Sequence, residues 1–192
     1  MRLTLLAKLI RSDRFVKRII CHCVLVLCLS FNCTLVQSAA YAEDSVEYQV
    51  KAAFIANFIA FTNWPDDTLQ TIDLCIYGED YFGSSIDQLQ NKSSNNRKIR
   101  VRRISDLGAL NECQVVFISK SNASSVMAIL DSLRGKPMLT LADSPNMAAQ
   151  GVVINMNLRN EKIVFEVNLK AARESGLYIS SQLLQLATRV YQ

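Results

Sequence analysis

The chain has 192 residues, of which 50% are hydrophobic, and carries a formal net charge of +4 with a single histidine. Six of its 21 basic residues but only one of its 17 acidic residues fall within residues 1–42, so the remainder has 15 basic and 16 acidic residues and a net charge of about −1. That balance argues against a nucleic-acid partner bound through a basic surface. The histidine, His22, lies in the same segment, so the rest of the chain lacks a Ser–His or Cys–His catalytic pair.

Residues 1–42 have the three parts of a secretory signal peptide. A basic region at residues 1–17 precedes the apolar run Ile19–Val36, and the small-residue site Ala40-Tyr41-Ala42 follows. This order is typical of an export signal that is removed at its small-residue end. We therefore predict a signal peptide at residues 1–42, cleaved near Ala42, with an uncleaved membrane anchor as the alternative. Residues 43–192 are long enough to form one domain with its own core.

The cysteines divide in the same way as the charges. Four of the six lie in the predicted signal peptide, and Cys75 and Cys113 remain in the predicted domain. A cysteine pair in an exported domain predicts a disulfide, and two buried free thiols are the alternative. Two thiols without a histidine do not predict a zinc site. We therefore expect a Cys75–Cys113 disulfide and no bound metal.

The first predicted element is an apolar helix over Tyr48–Pro65. Hydrophobic residues recur at three- and four-residue spacing on one side of it: Val50, Ala53, Phe54, Phe58 and Phe61. The opposite side is nearly as apolar, with Ala52, Ile55, Ala56, Ile59 and Ala60. Such a helix is expected to be covered on two sides, either within the domain or with one side against a partner. Pro65 is expected to end it.

Short apolar strands then alternate with helical segments. The predicted strands are Ile72–Tyr77, Ile99–Ile104, Val115–Ser119 and Met138–Leu141, with Ile99–Ile104 as an edge strand. The predicted helices are Ser84–Gln90, a short one in Ser105–Cys113, Asn122–Arg134, and one starting at Asp143-Ser144-Pro145 and ending at Gly151. This alternation predicts a mostly parallel sheet with helices on both faces.

The pattern changes in the C-terminal part of the chain. Val152–Met156 and Ile163–Asn168 are predicted to form an antiparallel hairpin, and Leu169–Ser175 and Ser180–Tyr191 two helices. The predicted fold is therefore a single three-layer α/β domain whose mostly parallel sheet ends in a C-terminal antiparallel hairpin edge. If the first and third strands are neighbours, Cys75 and Cys113 come within bridging distance.

Three polar groups are candidate sites, each with a structural alternative. The loop Gly78–Gly83 follows the first strand, where α/β folds bind ligands, although its Glu79 and Asp80 would repel a phosphate. The acidic pairs Asp66/Asp67 and Glu79/Asp80 are metal or acid–base candidates, or solvated turns. The basic residues Arg97, Lys98, Arg100, Arg102 and Arg103 either receive an acidic partner or protect an edge strand. We predict no catalytic, cofactor-binding or metal-binding residue.

Several segments occur in an order and spacing that identify a family. They are Val50-Lys51-Ala52-Ala53-Phe54, Asn57-Phe58, Trp64-Pro65, Leu74–Gly78, Phe82-Gly83, Cys113–Ile118, Leu139–Asp143, Gly151–Asn155, Ile163–Asn168 and Ser175–Leu184. Together they resemble the YfiR family over nearly the whole predicted domain. The resemblance implies a non-enzymatic periplasmic protein of Gram-negative bacteria, without a cofactor.

The resemblance also implies a function and partners. The best-known member represses an inner-membrane diguanylate cyclase, an enzyme of cyclic di-GMP signalling that controls biofilm formation and motility, by binding its periplasmic domain. An OmpA-like outer-membrane lipoprotein sequesters that repressor. Members are homodimers and sense redox state through disulfides, but the second, C-terminal cysteine pair of some members is absent here. The alternative function is a periplasmic small-ligand-binding module that uses the Gly78–Gly83 loop.

Overall fold

An eight-stranded mixed sheet forms the centre of the domain. The computed structural model describes residues 46–66 and 70–192, so the predicted signal peptide lies outside the described residues. The strands are β1 (Thr62–Asn63), β2 (Thr71–Tyr77), β3 (Ser93–Ser94), β4 (Arg97–Ile104), β5 (Val115–Ile118), β6 (Leu139–Ala142), β7 (Ile154–Arg159), β8 (Lys162–Asn168), β9 (Tyr178–Ile179) and β10 (Arg189–Tyr191). The sheet order is β10-β8-β7-β6-β5-β2-β4-β3, and β1 pairs separately with β9.

Helices cover both faces of the sheet, so the predicted three-layer α/β fold is confirmed. The helices are α1 (residues 46–60), α2 (Ser84–Asp87), α3 (Val126–Ser132), α4 (Leu169–Glu174) and α5 (Ser181–Leu186), with 3-10 turns at Gly108–Glu112 and Lys120–Ser125. Within the described residues, none of these helices has the length and apolarity needed to span a bilayer.

Strand β5 shows how one apolar run serves two cores. Val115 and Phe117 pack into the core that contains α1, whereas Val116 and Ile118 pack into the core beneath α3. All four residues of β5 are buried. A central parallel strand covered on both faces needs apolar side chains in both directions, which explains the unbroken hydrophobic run.

The first helix ends earlier than predicted. Helix α1 stops at residue 60, and Thr62 and Asn63 pair with Ile179 and Tyr178 in an antiparallel ladder. The Thr62 hydroxyl donates a hydrogen bond to the carbonyl of Phe58 at 2.7 Å, which satisfies a carbonyl of the last helical turn. Strand pairing, and not Pro65, therefore ends the helix.

The buried residues of α1 come from both of its apolar sides. Phe58 on one side and Ala52, Ile55 and Ile59 on the other are buried, whereas Val50 is 40% exposed. Both sides of the helix are apolar in sequence, so periodicity alone cannot say which of them faces the sheet.

The C-terminal part contains two corrections. The predicted helix Ser180–Tyr191 is limited to α5, and the last residues form β10, which pairs parallel to β8. The hairpin β7–β8 therefore lies inside the sheet and is not its edge. Its connection is only the two-residue turn Asn160-Glu161, both with positive φ, which is the geometry of a type I′ hairpin turn.

The predicted helix at Asp143-Ser144-Pro145 is absent, because turns occupy residues 144–151. Its expected capping residue is engaged elsewhere: the Asp143 carboxylate accepts a hydrogen bond from Tyr48 of α1. Asp143 therefore makes a tertiary contact instead of the local capping contact that its sequence context predicts.

Cys75 and Cys113 are joined by a disulfide that closes a loop of 38 residues. Cys75 lies within β2, Cys113 precedes the neighbouring strand β5, and their Cα atoms are 6.1 Å apart. Both cysteines are buried in the core beneath α3. The disulfide therefore fixes two adjacent strands of the sheet to each other.

Replacing both cysteines by alanine should lower the free energy of unfolding by about 4 kcal/mol, because a loop of this length loses its constraint on the unfolded chain. Urea denaturation under non-reducing conditions measures the loss. A reducing agent should destabilise the natural protein and leave the double variant unchanged. Free thiols at both positions in a non-reducing peptide map would contradict the disulfide.

Candidate functional site

A buried ion pair joins α1 to the carboxyl end of β6. The Lys51 ammonium lies 2.6 Å from Oδ2 of Asp143, and the two side chains are 3% and 1% exposed. The Tyr48 hydroxyl donates a hydrogen bond to the same oxygen at 2.7 Å, and Glu47 makes a second ion pair with Lys51. These contacts hold the first turns of α1 on the end of the central sheet.

Aromatic rings and a second lysine extend this cluster. Tyr81, from the loop after β2, stacks on Tyr48 with ring centroids 5.6 Å apart, and Phe82 meets Tyr48 edge-on at 5.0 Å. The Lys120 ammonium, just after β5, lies 4.0 Å from the Tyr81 ring centroid. The carboxyl ends of β2, β5 and β6 thus contribute to one cluster, at the edge where α/β proteins commonly bind ligands.

The electrostatics of the cluster favour a fixed structural arrangement. Burial, and then the neighbouring Asp143 carboxylate, raise the pKa of Tyr48 well above its ordinary value, so the phenol stays protonated and remains a donor. Oδ1 of Asp143 is buried without a hydrogen-bond partner in the described structure. Lys51 and Asp143 are both buried, and their contact anchors α1 to the end of the sheet.

The candidate ligand loop Gly78–Gly83 is filled by its own contacts. Oδ1 of Asp80 accepts hydrogen bonds from the backbone N–H groups of Phe82 at 2.8 Å and Gly83 at 3.2 Å. Those N–H groups are the ones that an anion would need. A Cβ on Gly78 would lie 2.5 Å from Oδ1 of Asn122, so the loop is also closely packed against the segment after β5. No observation at this loop favours a ligand.

Most basic side chains of the cluster on β4 form ion pairs with acidic residues of the same chain. Arg100 makes two hydrogen bonds with Asp73, Arg102 lies 2.7 Å from Glu112, and Arg103 bridges Asp80 and Asp87 at 2.7 Å each. The guanidinium of Arg97 lies 5.9 Å from the Trp64 ring centroid, and Lys98 is exposed. The cluster therefore secures β4 to its neighbours and is not an open basic surface.

The remaining candidates do not converge on one site. Asp67 lies outside the described residues, and the carbonyl of Asp66 accepts a hydrogen bond from Arg97 at 3.3 Å. Across residues 46–66 and 70–192, no group of three potential ligand residues is placed to hold a metal ion.

Sequence analysis missed the ion pair that organises this edge. Lys51 appears in the sequence only as a polar interruption of an apolar helix, and Asp143 as a helix cap. A lysine at i+4 from Glu47 is ordinary for an exposed helix side. The positions of its neighbours could have indicated that Lys51 is buried. Lys51 falls next to Ala52 and one turn before Ile55, on the side of α1 that the sheet covers.

Two segments each carry a pair of exposed large apolar side chains. Tyr178 of β9 is 65% exposed and Leu186 of α5 is 70% exposed. On α1, Val46 and Val50 are exposed together with Ala53 and Asn57 one and two turns later. Exposed apolar groups within one short segment are typical of contact surfaces.

Comparison with known proteins identifies a family. The family model described as YfiR/HmsC-like matches residues 48–188. A conserved domain protein from Vibrio cholerae shares 10% identity with a TM-score of 0.48, over 74% of this chain and 60% of that one. The ABC domain from Streptococcus pneumonia in complex with L-Trp also shares 10% identity, with a TM-score of 0.49, over 70% and 58% of the two chains. The chain thus spans less than two thirds of either structure.

The ion pair yields a stability prediction. Lys51→Met should lower the free energy of unfolding by about 3–5 kcal/mol, because it leaves the Asp143 carboxylate buried without its cation. Adding Asp143→Asn to this variant should recover part of the loss, since the unpaired charge is then removed. Urea denaturation measures all variants.

Lys170→Met is the matched control for Lys51→Met. It removes a lysine from the Lys170–Glu174 pair, whose side chains are 66% and 62% exposed. Its cost should stay within about 1 kcal/mol, since solvent screens such pairs. Equal costs for the two lysine variants would show that the buried pair does not anchor α1.

Proposed function

The chain belongs to the YfiR/HmsC-like family, and we propose that it is a periplasmic regulator that represses an inner-membrane diguanylate cyclase by binding the periplasmic domain of that enzyme. The observation that carries the proposal is the family match over residues 48–188. Family membership supports a regulatory, non-enzymatic role in general, and the cyclase as partner is our specific proposal. Export through a signal peptide at residues 1–42, cleaved near Ala42, is part of it.

The filled carboxyl edge supports regulation through protein contact. Lys51 and Asp143, two of the titratable groups at this edge, are paired and buried, so they are not open to a substrate. The regulator acts by binding one conformation of the cyclase more tightly than the other, which shifts the cyclase population towards the inactive form. An OmpA-like outer-membrane lipoprotein that competes for the same surface relieves this repression.

We propose that the segment containing β9 and α5 contacts the cyclase. Tyr178 and Leu186, at the two ends of this segment, are the most exposed large apolar side chains among the described residues. Tyrosine combines a large contact area with little conformational entropy to lose, which suits it to the centre of an interface.

A pull-down from detergent-solubilised inner membranes tests the partner. The natural protein should recover a diguanylate cyclase with a periplasmic domain, and deleting its gene should raise cyclic di-GMP. Tyr178→Ser combined with Leu186→Ser should lose the cyclase, because each truncation of a buried interface anchor costs about 2 kcal/mol or more. Met127→Ser is the control, since Met127 is also a large exposed apolar residue, 55% exposed, but lies on α3 outside the proposed contact segment.

Recovery of no cyclase together with unchanged cyclic di-GMP would contradict the repressor function. Recovery of the cyclase by both serine variants would contradict only the proposed contact segment.

We also propose that α1 forms the homodimer interface. Val46, Val50, Ala53 and Asn57 are exposed and follow the alternating four- and three-residue spacing of a coiled-coil seam. Small side chains along such a stripe let two helices approach closely, and a two-fold axis lets the stripe pair with itself.

Val50→Glu should therefore convert the dimer to a monomer in sedimentation velocity, because it places like charges in the seam. Leu158→Glu, at an apolar residue on β7 that is also exposed, should leave the dimer intact. A Val50→Glu protein that remains dimeric would exclude α1 as the interface.

A further inference from the structure

A cavity of about 210 Å³ lies at the amino edge of the sheet, opposite the edge that the buried ion pair closes. Its wall includes Trp64, Pro65, Asn111, Gln114, Lys136 and Met138. Gln114 immediately precedes β5 and Met138 immediately precedes β6, so the amino ends of both strands reach the cavity. Its volume is below the range of drug-sized ligand pockets, so an occupant must be small.

Trp64, one of the lining residues, carries an unsatisfied donor. The residue is 4% exposed, and its indole Nε1–H is buried without a hydrogen-bond partner in the described structure. Burying such a donor without a partner is unfavourable, because its hydrogen bond to water is lost and not replaced. An acceptor that reaches Trp64 from the cavity would remove that cost.

Lys136 brings a cation without a counterion. Its ammonium donates to the side-chain oxygen of Asn111 and, at 2.9 Å, to the carbonyl of Ser132, and both acceptors are neutral. Among the described residues, no carboxylate forms an ion pair with Lys136. Lys51 and Lys170, by contrast, are each paired with an acidic side chain.

We propose that this cavity binds a small monocarboxylate, with the carboxylate accepting from the Lys136 ammonium and from the Trp64 indole N–H. A carboxylate offers two oxygens, so one can meet each donor. The charge of Lys136 favours an anion over a neutral carbonyl, and hydrogen bonds to charged groups are the stronger ones. This site is separate from the proposed cyclase contact and does not depend on it.

The chain provides its own reporter for a test. Trp64 is the only tryptophan in the sequence, so the ¹⁵N-labelled protein has a single indole N–H cross-peak in its NMR spectrum. Titration with sodium acetate should shift this peak saturably, whereas sodium chloride at the same ionic strength should not. Saturation is expected at millimolar acetate, because so small a ligand makes few contacts.

Three variants at the cavity separate binding from a general charge effect. Lys136→Met should weaken acetate binding at least about tenfold, through loss of a charge-assisted hydrogen bond. Lys136→Arg should retain binding, and Asp66→Asn, which removes a carboxylate from the cavity wall, should not weaken it. Lys162→Met, which makes the same charge change on β8, should bind like the natural protein.

Two results would overturn the proposal. One is an indole peak that responds equally and without saturation to acetate and chloride, as expected if a buried water satisfies the indole N–H. The other is a folded Lys136→Met protein that binds acetate like the natural protein.

Discussion

The contact between Lys51 and Asp143 determines how the first helix meets the sheet. The central strands are apolar on both faces, and one of those faces needs a helix to cover it. Helix α1 supplies Tyr48, Ala52, Ile55 and Ile59 for this purpose, but Lys51 lies beside them. A lysine on a buried side is tolerated only when a carboxylate pairs with it. Asp143, at the end of β6, is therefore a condition for docking α1 at this place.

The Lys51–Asp143 contact explains why the helix predicted to start at Asp143 is absent and why the carboxyl edge of the sheet is closed. Asp143 followed by Ser144 and Pro145 has the composition of a helix start, yet turns follow it. Its carboxylate is committed to α1, and the tertiary interaction outweighs the local capping preference. The same commitment fills the carboxyl edge of the sheet. An α/β domain whose usual ligand edge is sealed in this way must use its surfaces or its other edge.

The sheet was predictable from the sequence because its signals are local. Ile72–Tyr77 and Val115–Ser119 are uninterrupted apolar runs with turn residues at their ends, and both are central strands. The orientation of α1 was not predictable, since both of its sides are apolar and periodicity distinguishes an apolar side only from a polar one. The last strand, β10, was predicted to be helical because Ser180–Tyr191 has helical spacing throughout. Its strand state depends on β8 offering an unpaired edge, which no local pattern reports. The candidate site was less predictable than the fold, because the Lys51–Asp143 contact joins residues that are 92 positions apart in the sequence.

The two ends of the sheet therefore have opposite character. At the carboxyl end, buried charges neutralise each other and the aromatic rings of Tyr48, Tyr81 and Phe82 pack over them. At the amino end, the Cys75–Cys113 disulfide ties β2 to the chain just before β5, and Cys113 itself lines the cavity beside Lys136. The amino edge has a cavity beside a cation without a counterion and an unsatisfied donor. At the carboxyl edge, by contrast, Lys51 and Asp143 neutralise each other.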